Sequence, residues 1–129
     1  MNPKNFLLLG GIVLILVGVL GFIGILGPTP DKSIFSNAWW FDNAENWAHL
    51  VLGIVALIVL YATGEALQST ITLLVGILAI LVMLYGFLIG EGLWGANLEN
   101  PLDNVLHLVV GVWALWAWWG AKKMSLSGM

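Results

Sequence analysis

The chain contains no cysteine, which excludes disulfides, thiolate metal sites and cysteine nucleophiles. It contains no arginine and only four basic residues, all lysine, with a net charge of -3. A nucleic-acid partner needs a basic face, and so few lysines do not build one. Charged residues make up 9% of the 129 positions and hydrophobic ones 60%, against about 25% and about 45–50% in a soluble domain. With a mean hydropathy of +1.00, water is the wrong solvent for most of this surface. An integral membrane protein is expected. Tryptophan, by contrast, is plentiful, at eight residues. Its ring is half apolar and half polar, which suits a membrane–water interface.

A membrane-spanning helix needs about 20 predominantly apolar residues. Four runs qualify: Asn5 to Gly27, Ala44 to Ala62, Ser69 to Gly90 and Leu102 to Ala121. The first ends at "GPTPDK", where a glycine and two prolines break any helix. Its apolar core exceeds the roughly 7–15 residues of a secretory signal, and no A-x-A site follows, so it is taken as a retained span. The expected fold is all-α: a single polytopic membrane domain over 1–129. Four spans place both termini on one side. Lys4, Lys122 and Lys123 lie there and Lys32 lies opposite, so the positive-inside rule puts both termini in the cytoplasm. Asp31, Asp42, Glu91 and Glu99 then fall in outer loops. "NAWWF", Asn37 to Phe41, is expected to lie along the outer interface, and the final "MSLSGM" to fray.

The polar residues inside the runs form a pattern. Glu45-Asn46-x-x-His49-Leu50-Val51-x-Gly53 is echoed by Asp103-Asn104-x-x-His107-Leu108-Val109-x-Gly111. Asn, His, Leu, Val and Gly recur at the same spacing, and the first position is acidic in both. The preceding runs echo each other too, "LGFIG" at Leu20 to Gly24 against "YGFLIG" at Tyr85 to Gly90. This predicts one helical hairpin written twice, over 5–62 and 69–121, as a parallel repeat about an axis along the membrane normal. Both clusters then sit at similar depth near the outer face. Each histidine is roughly 6 Å deeper than its acid.

On a helix, positions i and i+4 are neighbours. Glu45, His49 and Gly53 therefore form a stripe, as do Asp103, His107 and Gly111, with Asn46 and Asn104 beside them. Three roles are open to this polar cluster. The first is structural: intramembrane polar side chains face other helices and hydrogen-bond there, so the histidines fasten helices 2 and 4 while the glycines admit close approach. The second is ligation, with His49 and His107 as axial ligands to a haem or a chlorophyll-type ring, the glycines leaving room for the macrocycle. A dinuclear metal site has the ligand types, but carboxylate bundles favour Glu-x-x-His at i, i+3, and the spacing here is i, i+4. The third is proton handling, since histidine titrates near neutral pH. No Ser-His or Cys-His pairing is spelled out, so an enzyme is not expected. Gly18, Gly21 and Gly24, and Gly86-x-x-x-Gly90, read as small-residue packing seams.

The pattern Gly18-x-x-Gly21-Phe22, Asn46-x-x-His49-Leu50-x-x-Gly53, Gly86-Phe87 and Asp103-Asn104-x-x-His107-Leu108-x-x-Gly111 resembles the DUF 4383 family of small four-helix bacterial membrane proteins. The resemblance covers the chain apart from its tail. It implies a four-helix membrane fold in a bacterial inner membrane and carries no activity. The expectation is a structural or accessory subunit whose partners are the bilayer and a membrane-protein complex or a second copy. A haem or pigment carrier is the alternative.

Overall fold

The computed structural model describes residues 2–90, Ala96 and 102–127, and of 124–127 the backbone alone. Among them the chain is all-helical: α1 (Pro3–Phe22), α2 (Asn43–Ala62), α3 (Glu65–Leu88) and α4 (Leu102–Ser127), with 3-10 turns at Pro30–Lys32 and Ser36–Ala38 and no β-sheet. All four α-helices are long and apolar enough to cross a membrane.

Local chemistry sets the helix ends. Asn2 caps α1, its side-chain oxygen accepting from the Asn5 N–H at 2.9 Å, and Pro3 occupies the first turn, where a missing N–H costs nothing. The helix stops at Phe22, short of the Gly27 end expected from hydropathy. Gly24 takes φ +85°, and the N–H groups of Ile25 and Leu26 turn back to the Leu20 carbonyl at 3.2 and 3.0 Å. Gly24 is thus a helix terminator, not part of a packing seam. Gly90 (φ +80°) follows the end of α3 in the same way. Asp42 caps α2, accepting from the Glu45 N–H at 2.9 Å. At the other end, α4 runs through Ser127, past the Ala121 end of the apolar run and into the "MSLSGM" segment expected to fray, because "KKMSLS" holds no glycine or proline to stop it. Gly128 and Met129 lie outside the described residues, as do Glu91, Glu99 and Pro101.

The helices pair in chain order. Gly11 of α1 faces Leu57 and the Gly53 carbonyl of α2, while Gly18 faces the Asn46 carbonyl and Leu50. As one chain advances the other retreats, so the pair is antiparallel. In α3 and α4, Gly76 faces Ala114 and Leu115, and Gly86 faces Asn104. That pair is antiparallel too. The two pairs meet through α1, which touches both α3 and α4, whereas α2 and α4 make little direct contact. The main apolar cluster, Phe6, Leu7, Val59, Ala114 and Ala117, lies toward the end that carries Lys4, Lys122 and Lys123, the lysine end. The Phe6 and Trp113 rings meet edge to face there, with centroids 4.7 Å apart.

Polarity is inverted relative to a water-soluble bundle. Of the largest fully buried side chains, Leu7 is apolar and Asn46, Asn104 and Thr72 are polar. Outside, Leu16, Ile23, Val51, Leu52, Ile58, Leu78, Val109, Val112 and Trp116 each expose more than half of their surface.

Candidate functional site

Both polar motifs fall at the same end of the bundle, the loop end, because α2 and α4 start there. Glu45, Asn46, Asp103 and Asn104 are buried, the two asparagines completely. Each asparagine is seated against a glycine of its partner helix. A Cβ added at Gly21 would overlap Asn46 Oδ1, and a Cβ added at Gly86 would overlap Asn104 Oδ1. In both, the amide oxygen stands where the glycine α-hydrogen points, the arrangement of a Cα–H···O contact between helices. No other residue type at 21 or 86 leaves room for the amide.

The glycines of the motifs belong to the same seams. A Cβ at Gly53 would stand 2.7 Å from the Gly11 carbonyl oxygen, and one at Gly111 would stand 2.6 Å from Ile80 Cδ1. Gly53 therefore faces α1 and Gly111 faces α3, and the pair does not form the groove between helices 2 and 4 that an i, i+4 stripe suggested. The seam is Asn46–Gly53 and Asn104–Gly111, seven residues apart, the repeat of a supercoiled helix pair.

The histidines lie off this seam. Each is half-buried. The Phe41 and His49 rings meet edge to face with centroids 5.0 Å apart, and His49 Nδ1 is buried with no hydrogen-bond partner. His107 Nδ1 lies 2.7 Å from the Asp103 carbonyl oxygen. A carbonyl only accepts, so the proton is on Nδ1 and Nε2 is left with a lone pair. Asp103 Oδ1 accepts from Trp39 Nε1 at 3.0 Å. His49 stands within electrostatic reach of His107, Asp103 and Asp42, so the fold gathers both imidazoles at one end with Asp103 and the α2 cap Asp42. Among the described residues, no group of three or more His, Asp or Glu is placed to hold a metal ion.

The segment between α1 and α2 closes over this cluster. Ser33 is its knot: its hydroxyl donates to the Trp39 carbonyl at 2.6 Å and accepts from the Phe35 N–H at 3.2 Å. The Phe41 N–H reaches the Leu26 carbonyl at 2.8 Å. These contacts aim Trp39 at α4 and bury Phe41 against His49. "NAWWF" is thus tied down onto the loop end of the bundle. Farther out, the Thr29 hydroxyl donates to Asp31 at 2.6 Å, which holds this exposed carboxyl below its ordinary value.

Comparison with known proteins yields nothing to lean on. No family model, no curated protein and no solved structure matches this chain.

Two buried polar residues of α3 carry part of the architecture and escaped the motif search. Gln68 Nε2 donates to the Leu60 and Thr63 carbonyls at 3.0 and 3.1 Å, capping the C-terminus of α2 from the next helix. Thr72, one turn on, is fully buried. The signal was present: Gln68, Thr72, Gly76 and Ala79 form one stripe of polar and small residues in a helix otherwise bulky and apolar.

Proposed function

We propose that this chain is a small multi-pass membrane protein, two tandem helical hairpins in series, serving as a structural or accessory subunit. The inverted polarity carries the proposal. Fully buried Asn46, Asn104 and Thr72 beneath a surface of leucine, isoleucine, valine and tryptophan are stable where the surrounding solvent is hydrocarbon. The matching seats of Asn46 on Gly21 and Asn104 on Gly86 support the repeat. The three lysines at one end support a cytoplasmic position for both termini, and the DUF 4383 resemblance supports a bacterial inner membrane. In this reading the asparagines lock each hairpin. At the loop end the Trp39–Asp103 bond ties the loop of the first hairpin to the second hairpin; because α2 and α4 make little direct contact, the fastening is assigned to this bond and not to the pair His49 and His107. The protein supplies a rigid apolar body to a membrane complex or a second copy of itself.

Two measurements test this. The chain should stay in the membrane pellet through alkaline carbonate, and gentle solubilisation should bring down a partner subunit, or a second copy, in fixed ratio. Release by carbonate, or a monomer with no associate, contradicts it.

A second reading has an observation of its own. His107 holds its Nδ1 proton on a backbone carbonyl, leaving Nε2 as a ligand, and His49 has a buried Nδ1 without a partner. His107 in this state, with His49 at the same end of the bundle, supports axial ligation of a haem or a chlorophyll-type ring. When bound, such a group would supply electron transfer or light absorption. Phe41 covers His49 and must move to admit it. A Soret-like band that disappears in His107→Ala establishes this reading. A colourless preparation from cells rich in haem removes it.

A further inference from the structure

The two hairpins are joined unevenly. At the lysine end they share the apolar cluster of Phe6, Leu7, Val59, Ala114 and Ala117. At the loop end α2 and α4 make little direct contact, and the segment before α2 crosses between them. Four side chains form a line there. The His49 and Phe41 ring centroids are 5.0 Å apart, those of Phe41 and Trp39 are 5.1 Å apart, and Trp39 Nε1 donates to Asp103 at 3.0 Å. The segment that carries Trp39 and Phe41 has 3-10 turns but no α-helix. Within it Ser36 holds φ +52°, a conformation that residues with a Cβ seldom adopt. Contacts, not regular structure, keep this segment in place, and such segments open at the low end of a protein's stability range.

His49 stands at the start of the line. Its Nδ1 is buried with no hydrogen-bond partner, so the neutral ring carries its proton on Nε2. A second proton goes to Nδ1, where it meets no acceptor and puts a charge against Phe41, itself 4% exposed. Swinging the ring toward water relieves that charge and unseats Phe41. His107 differs. Its Nδ1 already faces the Asp103 carbonyl, so an added proton goes to Nε2 and breaks nothing. The other titratable groups of this end are Asp42 and Glu45 at the start of α2, Asp103 on α4 and Tyr85 near the end of α3, with Asp31 and Lys32 farther out. The one titratable side chain of α1, Lys4, lies at the lysine end, and Glu91 and Glu99 lie outside the described residues. Asp42 and Asp103, within electrostatic reach of His49, draw a charged ring outward without giving Nδ1 an acceptor where it stands.

We propose that the segment 33–41 is a proton-operated latch. Protonation of His49 displaces Phe41, frees Trp39 from Asp103 and lifts the segment off the histidine cluster. The proposal rests on the fastening role given above to the Trp39–Asp103 bond. The open form takes up one proton that the closed form does not, so acid favours opening.

Hydrogen exchange of the full-length chain in detergent tests it, corrected for the intrinsic pH dependence of exchange. The amides to follow are those of Phe35 and Phe41, both hydrogen-bonded in the closed segment. From about pH 8 to about pH 5, where histidine changes charge, wild-type protection should fall by up to about tenfold per pH unit, the slope for one proton. His49→Gln and His49→Phe should show no fall, whatever their protection at neutral pH. His107→Gln should respond as the wild type does. Wild-type protection that ignores pH overturns the proposal, and so does a fall that persists in both His49 variants. Protection insensitive to acid but lost in Trp39→Phe removes the latch and leaves the fastening. Protection untouched by Trp39→Phe removes both.

Discussion

Trp39 Nε1 donates to Asp103 Oδ1 at 3.0 Å, and the two residues belong to different hairpins. The bond links the loop of the first hairpin to a helix of the second. Asp103 is 2% exposed, so removing the donor forfeits a buried hydrogen bond to a charged group, about 1.5–3 kcal/mol. Trp39→Phe is therefore expected to lower the melting temperature in detergent and to expose the segment around Ser33 to limited proteolysis. An unchanged cleavage pattern would mean that the bond does not hold the loop down.

Gln68 predicts a graded response. It donates twice to α2 carbonyls, so Gln68→Leu forfeits both bonds while keeping the volume. Gln68→Glu keeps size and shape but turns carboxylate oxygens toward carbonyl oxygens. It should melt below Gln68→Leu at neutral pH, because an unsatisfied charge costs more than an unsatisfied carbonyl. The reverse order would show that the amide is not directed as the contacts place it.

Gly10 offers a contrast with the tight glycines. A Cβ there would meet the Trp113 ring at 4.0 Å, ordinary contact. Gly10→Ala should be neutral or stabilising by up to about 1 kcal/mol, the helix propensity gained. A clear loss in thermal unfolding would mean that α1 lies closer to α4 than described.

The lack of cysteine makes topology easy to read, since one introduced thiol is the sole label site. With Asp31→Cys, a membrane-impermeant maleimide should react in intact cells. With Lys123→Cys, it should react only after lysis. The opposite pattern would invert the orientation, and reaction of both in intact cells would remove the four-span arrangement.

Much of this was legible in the sequence. The four apolar runs gave four helices, with ends displaced by a few residues where Gly24 and the "KKMSLS" segment overrode hydropathy. The twin motifs did fall at one end of the bundle. What misled was the choice of stripe. Reading Glu45, His49 and Gly53 at i, i+4 spacing put the glycine with the histidine, whereas the seven-residue step from Asn46 to Gly53 lies closer to one line on a helix and faces α1. Histidine drew attention as the chemically versatile residue. The asparagine is the smaller and flatter group, and it is the one that fits against a glycine. The contact of Trp39 with Asp103 spans 64 residues, and no local pattern specifies such a pairing. Gln68 fell just outside the expected third span, so its burial went unread.

The central claim is that each hairpin is locked by an asparagine amide lying on a glycine of the preceding helix. A double-mutant cycle at each seat tests it most directly, with melting in detergent as the readout. Gly21→Ala and Gly86→Ala should each be destabilising by about 1–3 kcal/mol through overpacking, despite the propensity that alanine gains. In the Asn46→Ala and Asn104→Ala backgrounds the same changes should become neutral or stabilising, because the obstructing amide is gone. If either glycine accepts alanine freely in the wild-type chain, or if the penalty persists once its asparagine is removed, the two seats do not hold the hairpins.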